Sequence, residues 1–261
     1  MVRNGKSQNR IYFLDELRGL AVFCMVFYHA FYILDSMFAF EPAAKLFEFF
    51  MPVQPMFAGI FISVCGVSCS LSKSNLRRGL RLLAVAAGFT LVTAVIMPML
   101  GFVECEVYFG ILHFLSVCII ICALIENKLS AALPVGGILA CAVLYPFFSG
   151  ISEGFLNYGN LFWIKIPDVL YTTNLLVPLG IYKPDFFSAD YFPLLPNIFI
   201  FFAGVFAGRY FKSVSFPEWM HKSRAAFLAF LGRNALVIYI AHMPVIYILA
   251  FAADYVVKMF I

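Results

Sequence analysis

Seven long apolar stretches divide this chain of 261 residues, and each is long enough to cross a lipid bilayer. A membrane-spanning helix needs about 20 apolar residues, because the hydrocarbon core is about 30 Å thick. The predicted spans are residues 12–35, 53–72, 80–100, 108–125, 131–149, 192–211 and 234–257. Since backbone polar groups inside lipid must pair within the protein, these spans predict an all-α polytopic helix bundle.

Composition excludes most other classes of protein. Hydrophobic residues make up 63% of the chain and charged residues only 12%, against about 45–50% and 25% in soluble domains. A water-soluble enzyme, a disordered chain, a nucleic-acid-binding module and a disulfide-stapled secreted domain are therefore excluded. We expect residues 1–261 to form one membrane domain, in which the aromatic, proline-containing segment 150–191 is a long extracytoplasmic segment. Long loops in compact domains are usually functional.

The distribution of charge predicts the orientation of the spans. With the N-terminus in the cytoplasm, fourteen of the 18 Lys and Arg residues lie on the inner side, as the positive-inside rule requires. Ten of the 14 Asp and Glu residues then lie outside, where they favour a cationic ligand. Membrane insertion alone also explains the inner basic residues. The first apolar run is too long for a cleavable signal peptide and has no small-residue cleavage site, so we expect it to remain as a helix.

The first predicted helix carries three polar residues on one face. Arg18 and His29 are 11 residues apart, which corresponds to three turns plus about 20° and a rise of about 16 Å. Asp15 is a helical neighbour of Arg18. Imidazole can act as a general base near neutral pH, and Arg can bind phosphate or hold the Asp carboxylate. The stripe predicts a catalytic site, and the alternative is a buried polar network that only fixes helix packing.

Three further histidines differ in their predicted positions. His242 lies nine residues after Arg233, about 14 Å along the last span, so it should also be near the middle of the membrane. Two imidazoles on different helices favour a shared cavity. His113 lies near the outer end of the fourth span, where a core position and a site are equally compatible with the sequence. His221 lies in an inner loop and is predicted to be solvated.

Three arginines follow the second span on the inner side. Arg77, Arg78 and Arg81 have the charge and geometry to hold the phosphates of a nucleotide-bearing donor such as coenzyme A. Positive-inside topology explains the same residues equally well.

Small residues form a stripe along the second span. Gly59, Ser63, Gly66 and Ser70 recur at helical spacing and predict close helix packing. The seven cysteines imply no disulfide framework, and no set of His and Cys completes a four-ligand metal site, so no metal is predicted.

Several stretches resemble a known family in the same order along the chain. "LDELRGLAVFCMVFYHAFYIL" resembles the opening helix of the membrane-bound acyltransferase superfamily, which includes acyltransferase-3 proteins and relatives of heparan-α-glucosaminide N-acetyltransferase. The later stretches "GIFISVCGVSCSLSKSNLRRGLRLL", "VYFGILHFL", "SADYFPLLPNIFIFFAGVFAGRYF" and "FLGRNALVIYIAHMPV" resemble compact bacterial members of the second group. The similarity covers about residues 10–250.

The resemblance implies transmembrane acyl transfer in a multi-pass protein of the bacterial cytoplasmic membrane. The donor would be cytoplasmic acyl-CoA, such as acetyl-CoA, acting as a co-substrate, with no cofactor bound permanently. The acceptor would be an amine or hydroxyl group, often on a sugar, presented outside. His29 takes the place of the catalytic polar residue of the first helix, with Asp15 and Arg18 below it.

Three later residues match family positions as well. We assign His242 to catalysis and His113 and Asp190 to substrate binding. Two positions depart from the family pattern: His29 stands where the lysosomal enzyme has Asn, and Met243 where many relatives have Gln.

The sequence leaves several alternatives open. O-acylation of an envelope polysaccharide would use the same residues with a hydroxyl acceptor. A proton-coupled small-solute transporter predicts paired broken helices and an internal repeat, and the sequence has neither. A purely structural membrane subunit would leave the stripe of Asp15, Arg18 and His29 unexplained. The acyl chain, the acceptor, a covalent acyl-enzyme and homo-oligomer formation are also left open.

Overall fold

The structure, a computed structural model, describes residues 10–38, 40–101, 105–159 and 161–260. Its α-helices, in chain order, are α1 (Tyr12–Phe38), α2 (Glu41–Phe50), α3 (Gln54–Leu71), α4 (Asn75–Leu91), α5 (Met97–Met99), α6 (Ile111–Leu124), α7 (Glu126–Ala131), α8 (Pro134–Phe147), α9 (Leu194–Val214), α10 (Ala226–Arg233) and α11 (Ala235–Phe260). Two short strands, β1 (Phe155–Asn157) and β2 (Trp163–Lys165), form an antiparallel hairpin in which Leu156 pairs with Ile164. The all-α prediction is confirmed.

Six helical segments within the described part of the chain have the length and hydropathy to cross a bilayer. They are Tyr12–Ser36, Glu41–Leu71, Asn75–Met99, Pro134–Glu153, Leu194–Val214 and Ala235–Ala253. The fourth predicted span, residues 108–125, corresponds to the 14-residue helix α6. At 1.5 Å per residue α6 is only about 21 Å long, which is shorter than the hydrocarbon core. The cytoplasmic N-terminus stays a prediction, and residues 1–9 and Glu104, whose charges enter it, lie outside the described residues.

The stretch between the first two predicted spans contains a helix start at Glu41-Pro42. Pro42 occupies the first turn of α2, and a 3-10 turn over Met51–Val53 carries the chain into α3. Proline is favoured in a first helical turn because the amide it lacks would have no partner there. Residues 41–52, which lie between the first two predicted spans, are therefore helical.

Contacts between the described residues divide the chain into two compact units. Unit 1 consists of the chain up to Val64 together with the chain from Ser215 onward, and unit 2 consists of Cys65–Val214. The expectation of one domain over residues 1–261 stays a prediction.

In unit 1, α1 and α10 approach so closely that only glycine fits at two crossing positions. A Cβ atom on Gly19 would lie 1.9 Å from the Leu228 carbonyl oxygen, and one on Gly232 would lie 1.9 Å from the Asp15 carbonyl oxygen. Small residues allow this kind of backbone contact between apolar helices. The helix α11 packs on α1 through an apolar cluster built on Ile33 and Ile246.

In unit 2, the second half of α3 packs against α9. A Cβ atom on Gly66 would lie 2.1 Å from the Phe201 carbonyl oxygen, and one on Gly208 would lie 2.2 Å from the hydroxyl of Ser70. The prediction of close packing is confirmed for this part of the small-residue stripe. A Cβ atom on Gly59 would meet no described atom within 4 Å, so the stripe is not a packing surface along its whole length.

The helix α4 does not end regularly. It passes through a π-helical turn, Val92–Ile96, before the short α5, which contains Pro98. A π-turn absorbs an extra residue, and such turns are frequent at functional sites. The buried Thr93 in this turn accepts a hydrogen bond from the amide of Val107, and so holds the end of the connection to α6 against the π-helical turn.

Candidate functional site

Unit 1 brings two predicted site histidines together. The ring centroids of His29 on α1 and His242 on α11 are 5.0 Å apart, and the ring planes make an angle of 58°. His242 is 8% exposed, whereas His29 is half-buried. Two imidazoles from helices far apart in sequence therefore share one place in the apolar interior of this unit.

The backbone fixes the tautomer of each ring. His29 donates a hydrogen bond from Nδ1 to the carbonyl oxygen of Met25, at 2.9 Å, and His242 donates from Nδ1 to the carbonyl oxygen of Tyr239. Because a carbonyl oxygen only accepts hydrogen bonds, Nδ1 must carry the proton in the neutral ring. Nε2 is then the basic nitrogen of each histidine.

Nε2 of His242 is buried and has no hydrogen-bond partner among the described residues. A buried polar atom without a partner costs roughly 1–3 kcal/mol, so its retention calls for an explanation. One turn further along α11, Ile246 packs in the same apolar cluster as Ile33. A proton from a bound substrate would satisfy the free nitrogen.

Asp15 and Arg18 form a separate charged group on the first turns of α1. The Asp15 carboxylate accepts hydrogen bonds from Arg10, at 2.8 Å, and from Arg18, at 3.4 Å. Arg18, the nearer of the two, lies 11 residues, or about 16 Å, from His29 along the same helix. The structure therefore brings Asp15 to Arg18 and His29 to His242, and it does not bring the two pairs together.

The carboxylate next in sequence has a structural task. Oε1 of Glu16 accepts hydrogen bonds from the amides of Arg224 and Ala225, at 2.7 and 2.9 Å, and from the hydroxyl of Ser223. These groups precede the first turn of α10, where amides lack partners within the helix. Glu16 thus caps α10 and ties it to α1.

A third histidine lies in unit 2 with a hydroxyl partner. Nε2 of His113 lies 3.1 Å from Oγ1 of Thr90, and that hydroxyl donates its own proton to the carbonyl oxygen of Val107, at 2.7 Å. His113 must then donate from Nε2, so that Nδ1 is the basic nitrogen. Nδ1 is buried without a partner among the residues described.

Asp190 caps the helix that carries His113. Its Oδ2 accepts a hydrogen bond from the amide of Ile111, at 3.0 Å, at the first turn of α6. A carboxylate at a helix N-terminus is favoured by the helix dipole and by the free amides. The segment around Asp190 is held further by a hydrogen bond from the Ala189 amide to the carbonyl of Glu106. The two predicted substrate-binding residues therefore lie at the same end of α6, His113 on its first turn and Asp190 in the segment that caps it.

The predicted extracytoplasmic segment 150–191 is ordered by aromatic contacts and buried hydroxyls. Tyr182, Phe186 and Tyr191 form a cluster with ring centroids 5.2–5.3 Å apart. Tyr191 donates to the carbonyl of Val177, and burial raises the pKa of Tyr191, so its hydroxyl keeps its proton. The extracytoplasmic placement of this segment stays a prediction.

The three arginines after the second span divide between two faces of α4. Arg77 and Arg81 are exposed and line a surface groove of about 600 Å³ with Ser74. Arg78 instead turns to α3, where it donates to the sulfur of Cys69, at 2.9 Å. Only two of the three predicted phosphate contacts therefore share one surface.

One family model matches residues 10–244, and its description is heparan-alpha-glucosaminide N-acetyltransferase, catalytic. The match covers α1 through the first ten residues of α11 and includes both rings of the histidine pair. The chain belongs to this family. No individual curated protein and no solved structure matches the chain.

Membership in the heparan-alpha-glucosaminide N-acetyltransferase catalytic family confirms the resemblance drawn from the sequence. The protein is a multi-pass membrane protein of an acyltransferase family, and its six long apolar helices agree with this. The described residues contain no group of three or more His, Cys, Asp or Glu that would hold a metal ion. The roles predicted for individual residues stay predictions.

Sequence reasoning missed two partners of the predicted site residues. Thr90 was treated as one position of an apolar span, although it holds His113. Arg10 was counted as a topogenic charge, although it binds Asp15. The hydroxyl in an apolar span was a usable signal for Thr90, whereas the pairing between helices was not visible in any spacing.

Proposed function

We propose that this protein moves an acetyl or other acyl group from acyl-CoA to an amine or hydroxyl acceptor, such as a sugar, on the extracytoplasmic side. The proposal places the protein in the bacterial cytoplasmic membrane with its N-terminus inside. It rests on family membership and on one observation above all, the buried, unpartnered Nε2 of His242 beside His29.

The histidine pair supplies the base that acyl transfer needs. An amine or hydroxyl group is a weak nucleophile while it holds its proton, and a positioned imidazole removes that proton in the transition state. The Nδ1 contacts with the backbone orient both rings. Nε2 of His242 is thereby available for the acceptor, and His29 lies close enough to line the same place.

The reaction balances without a further reagent. The acceptor nitrogen or oxygen attacks the carbonyl carbon of the thioester as its proton passes to an imidazole nitrogen. The tetrahedral intermediate then collapses, the carbon–sulfur bond breaks, and the imidazolium returns the proton to the departing thiolate. The products are the acylated acceptor and the free thiol of coenzyme A, and the histidine is regenerated.

Charge supports the two sides of the proposal. Arg77 and Arg81 line one groove, and guanidinium groups bind phosphate through paired hydrogen bonds. In the predicted topology this end of unit 2 faces the cytoplasm, where acyl-CoA is found. Most Asp and Glu residues lie on the predicted outer side, which favours a cationic acceptor such as an amino sugar. Asp15 and Arg18 belong to the same proposal as the charged inner end of α1.

The experiment is an acyl transfer assay with the protein reconstituted in liposomes. Acetyl-CoA and glucosamine are supplied, and acetylated product is measured by mass spectrometry for wild type and His29→Ala. We expect His29→Ala to lose about 100-fold or more of the transfer rate, since general base catalysis contributes about that much.

The matched control is His221→Ala. His221 also contacts a carbonyl oxygen through Nδ1, that of Arg10, but it is outside the histidine pair. We expect this variant to keep the wild-type rate. A folded His29→Ala protein with full transfer would overturn the assignment of the pair. A folded wild-type protein that binds no acyl-CoA would overturn the assignment of acyl-CoA as the donor.

A further inference from the structure

Unit 2 contains a second pocket, and two of its lining residues carry polar atoms that lack a hydrogen-bond partner among the described residues. The pocket has a volume of about 320 Å³ and is lined by residues of α3, α4, α6, α7 and α9. Oδ1 of Asn75 and Nη1 of Arg209 both belong to residues that line it, and both atoms are buried without a partner among the described residues. Asn75 is 7% exposed.

Each of these side chains is oriented by a hydrogen bond from one of its nitrogen atoms. Nδ2 of Asn75 donates to the carbonyl oxygen of Cys69, at 2.8 Å, so Oδ1 is the free acceptor. Nη2 of Arg209 donates to the carbonyl oxygen of Ser130, at 2.9 Å, and the guanidinium lies over the ring of Phe206. These two side chains therefore contribute one free acceptor and one free charged donor to the lining of the pocket, which also includes Glu126.

A ligand that satisfies both atoms must itself accept and donate. A secondary amide does so, because its carbonyl oxygen accepts from Arg209 while its N–H group donates to Asn75. A phosphodiester only accepts, so it would leave Asn75 without a partner. Lys212 lies at the exposed rim of the same pocket and provides a cation for a phosphate group there.

We propose that this pocket binds the phosphopantetheine arm of the acyl donor, with an amide of the arm on Asn75 and Arg209 and its phosphate at Lys212. This inference rests on the proposed function, which supplies an acyl-CoA donor. The volume falls at the lower end of the range of about 300–1,000 Å³ typical of small-molecule sites, so it suits the arm rather than the whole donor.

The position of the pocket joins it to the arginine groove. Ser74 lines the groove and Asn75, the next residue, lines the pocket. A donor that crosses the first turn of α4 would place its nucleotide half by Arg77 and Arg81 and its arm in the pocket. The two halves of coenzyme A then depend on different residues, which makes the assignment testable.

The test measures binding by calorimetry of the whole protein in detergent, with coenzyme A, 4′-phosphopantetheine, pantetheine and adenosine 3′,5′-bisphosphate as probes. We expect Arg209→Met and Asn75→Leu each to weaken 4′-phosphopantetheine about tenfold or more, since a charged or buried hydrogen bond is lost. Neither substitution should change the affinity for adenosine 3′,5′-bisphosphate. The matched control is the double variant Arg77→Met with Arg81→Met. It should weaken the binding of adenosine 3′,5′-bisphosphate and leave the affinity for 4′-phosphopantetheine unchanged.

Two milder variants cover the case in which a buried substitution prevents folding. Lys212→Met, at the exposed rim, should weaken the binding of 4′-phosphopantetheine. The affinity for pantetheine should not change, because pantetheine lacks the phosphate. Arg209→Lys keeps the positive charge and should keep part of the affinity.

The failure of this inference is distinct from failure of the proposed function. If wild type binds coenzyme A and all the pocket variants bind 4′-phosphopantetheine as wild type does, the pocket assignment is wrong. The assignment of acyl-CoA as the donor is then unaffected. If the folded wild-type protein binds none of the four probes, the donor itself is wrong.

Discussion

His242 in unit 1 and His113 in unit 2 have the same arrangement with opposite tautomers. Each has one ring nitrogen held by a hydrogen bond and the other buried without a partner in the described part of the chain. His242 is held at Nδ1 by the backbone of its own helix. His113 is held at Nε2 by Thr90, which comes from another helix.

The surroundings of the two rings differ in a way that separates their proposed tasks. His242 lies beside the imidazole of His29, a second group that can carry a proton near neutral pH. His113 lies beside the ring of Phe109 and on a helix whose first amide is capped by Asp190. The first environment suits proton transfer, and the second suits a fixed hydrogen bond to a substrate.

Amide replacements give the largest expected effect and exploit the tautomers. The amide of Asn resembles a histidine at Nδ1, so His242→Asn should keep the contact with Tyr239 while it removes the base. We expect the acyl transfer rate to fall by about 10²–10⁴-fold, with little change in the thermal unfolding midpoint. Both are measured on the reconstituted protein.

The matched replacement is His113→Gln, since the amide of Gln resembles a histidine at Nε2 and can keep the contact with Thr90. We expect a smaller loss of rate, expressed mainly as a higher KM for the acceptor. If His113→Gln lost more kcat than His242→Asn, the tasks of the two histidines would have to be exchanged.

The sequence predicted distances within a helix better than contacts between helices. The positions of His29 and His242 along their spans followed from the constant rise per residue, counted from Arg18 and Arg233. The 5.0 Å between their ring centroids depends on how α1 and α11 pack, which the predicted position of both residues near the middle of the membrane only suggested.

Other features were hidden because they depend on packing. The short helix α10 was not predicted, and its close approach to α1 requires Gly232 at a crossing that no spacing within one helix reveals. Arg209 looked like one more positive-inside residue, since only the fold shows its guanidinium over Phe206 with one nitrogen left unsatisfied. The apolar pattern that defines the spans would be the same whichever way the helices packed, so it does not reveal these contacts.

Removal of the Thr90 hydroxyl should have an intermediate effect. Thr90→Val leaves Nε2 of His113 and the carbonyl of Val107 without their common partner. We expect the free energy of unfolding to fall by about 2 kcal/mol, with a raised KM for the acceptor. Chemical denaturation in detergent micelles and steady-state kinetics measure the two effects.

Thr172→Val is the control for this change. Thr172 donates to the carbonyl of Val169 in an exposed position, so its loss should alter stability by no more than about 0.5 kcal/mol. Equal effects of the two threonine variants would show that the hydroxyl bridge to His113 contributes nothing specific.

The smallest expected effect concerns the cap of α6. Asp190→Asn keeps an oxygen that can accept from the Ile111 amide, whereas Asp190→Ala leaves that amide without it. We expect Asp190→Ala to lose about 1 kcal/mol of stability and Asp190→Asn less than half of that, measured by the same denaturation.

The control is Asp168→Ala, which removes an exposed ion pair with Lys165 and should leave the stability nearly unchanged. If Asp190→Asn kept stability but lost acceptor affinity, the charge itself would contact substrate beside His113. If it kept both, Asp190 would only position the helix, and recognition in this unit would depend on the histidine alone.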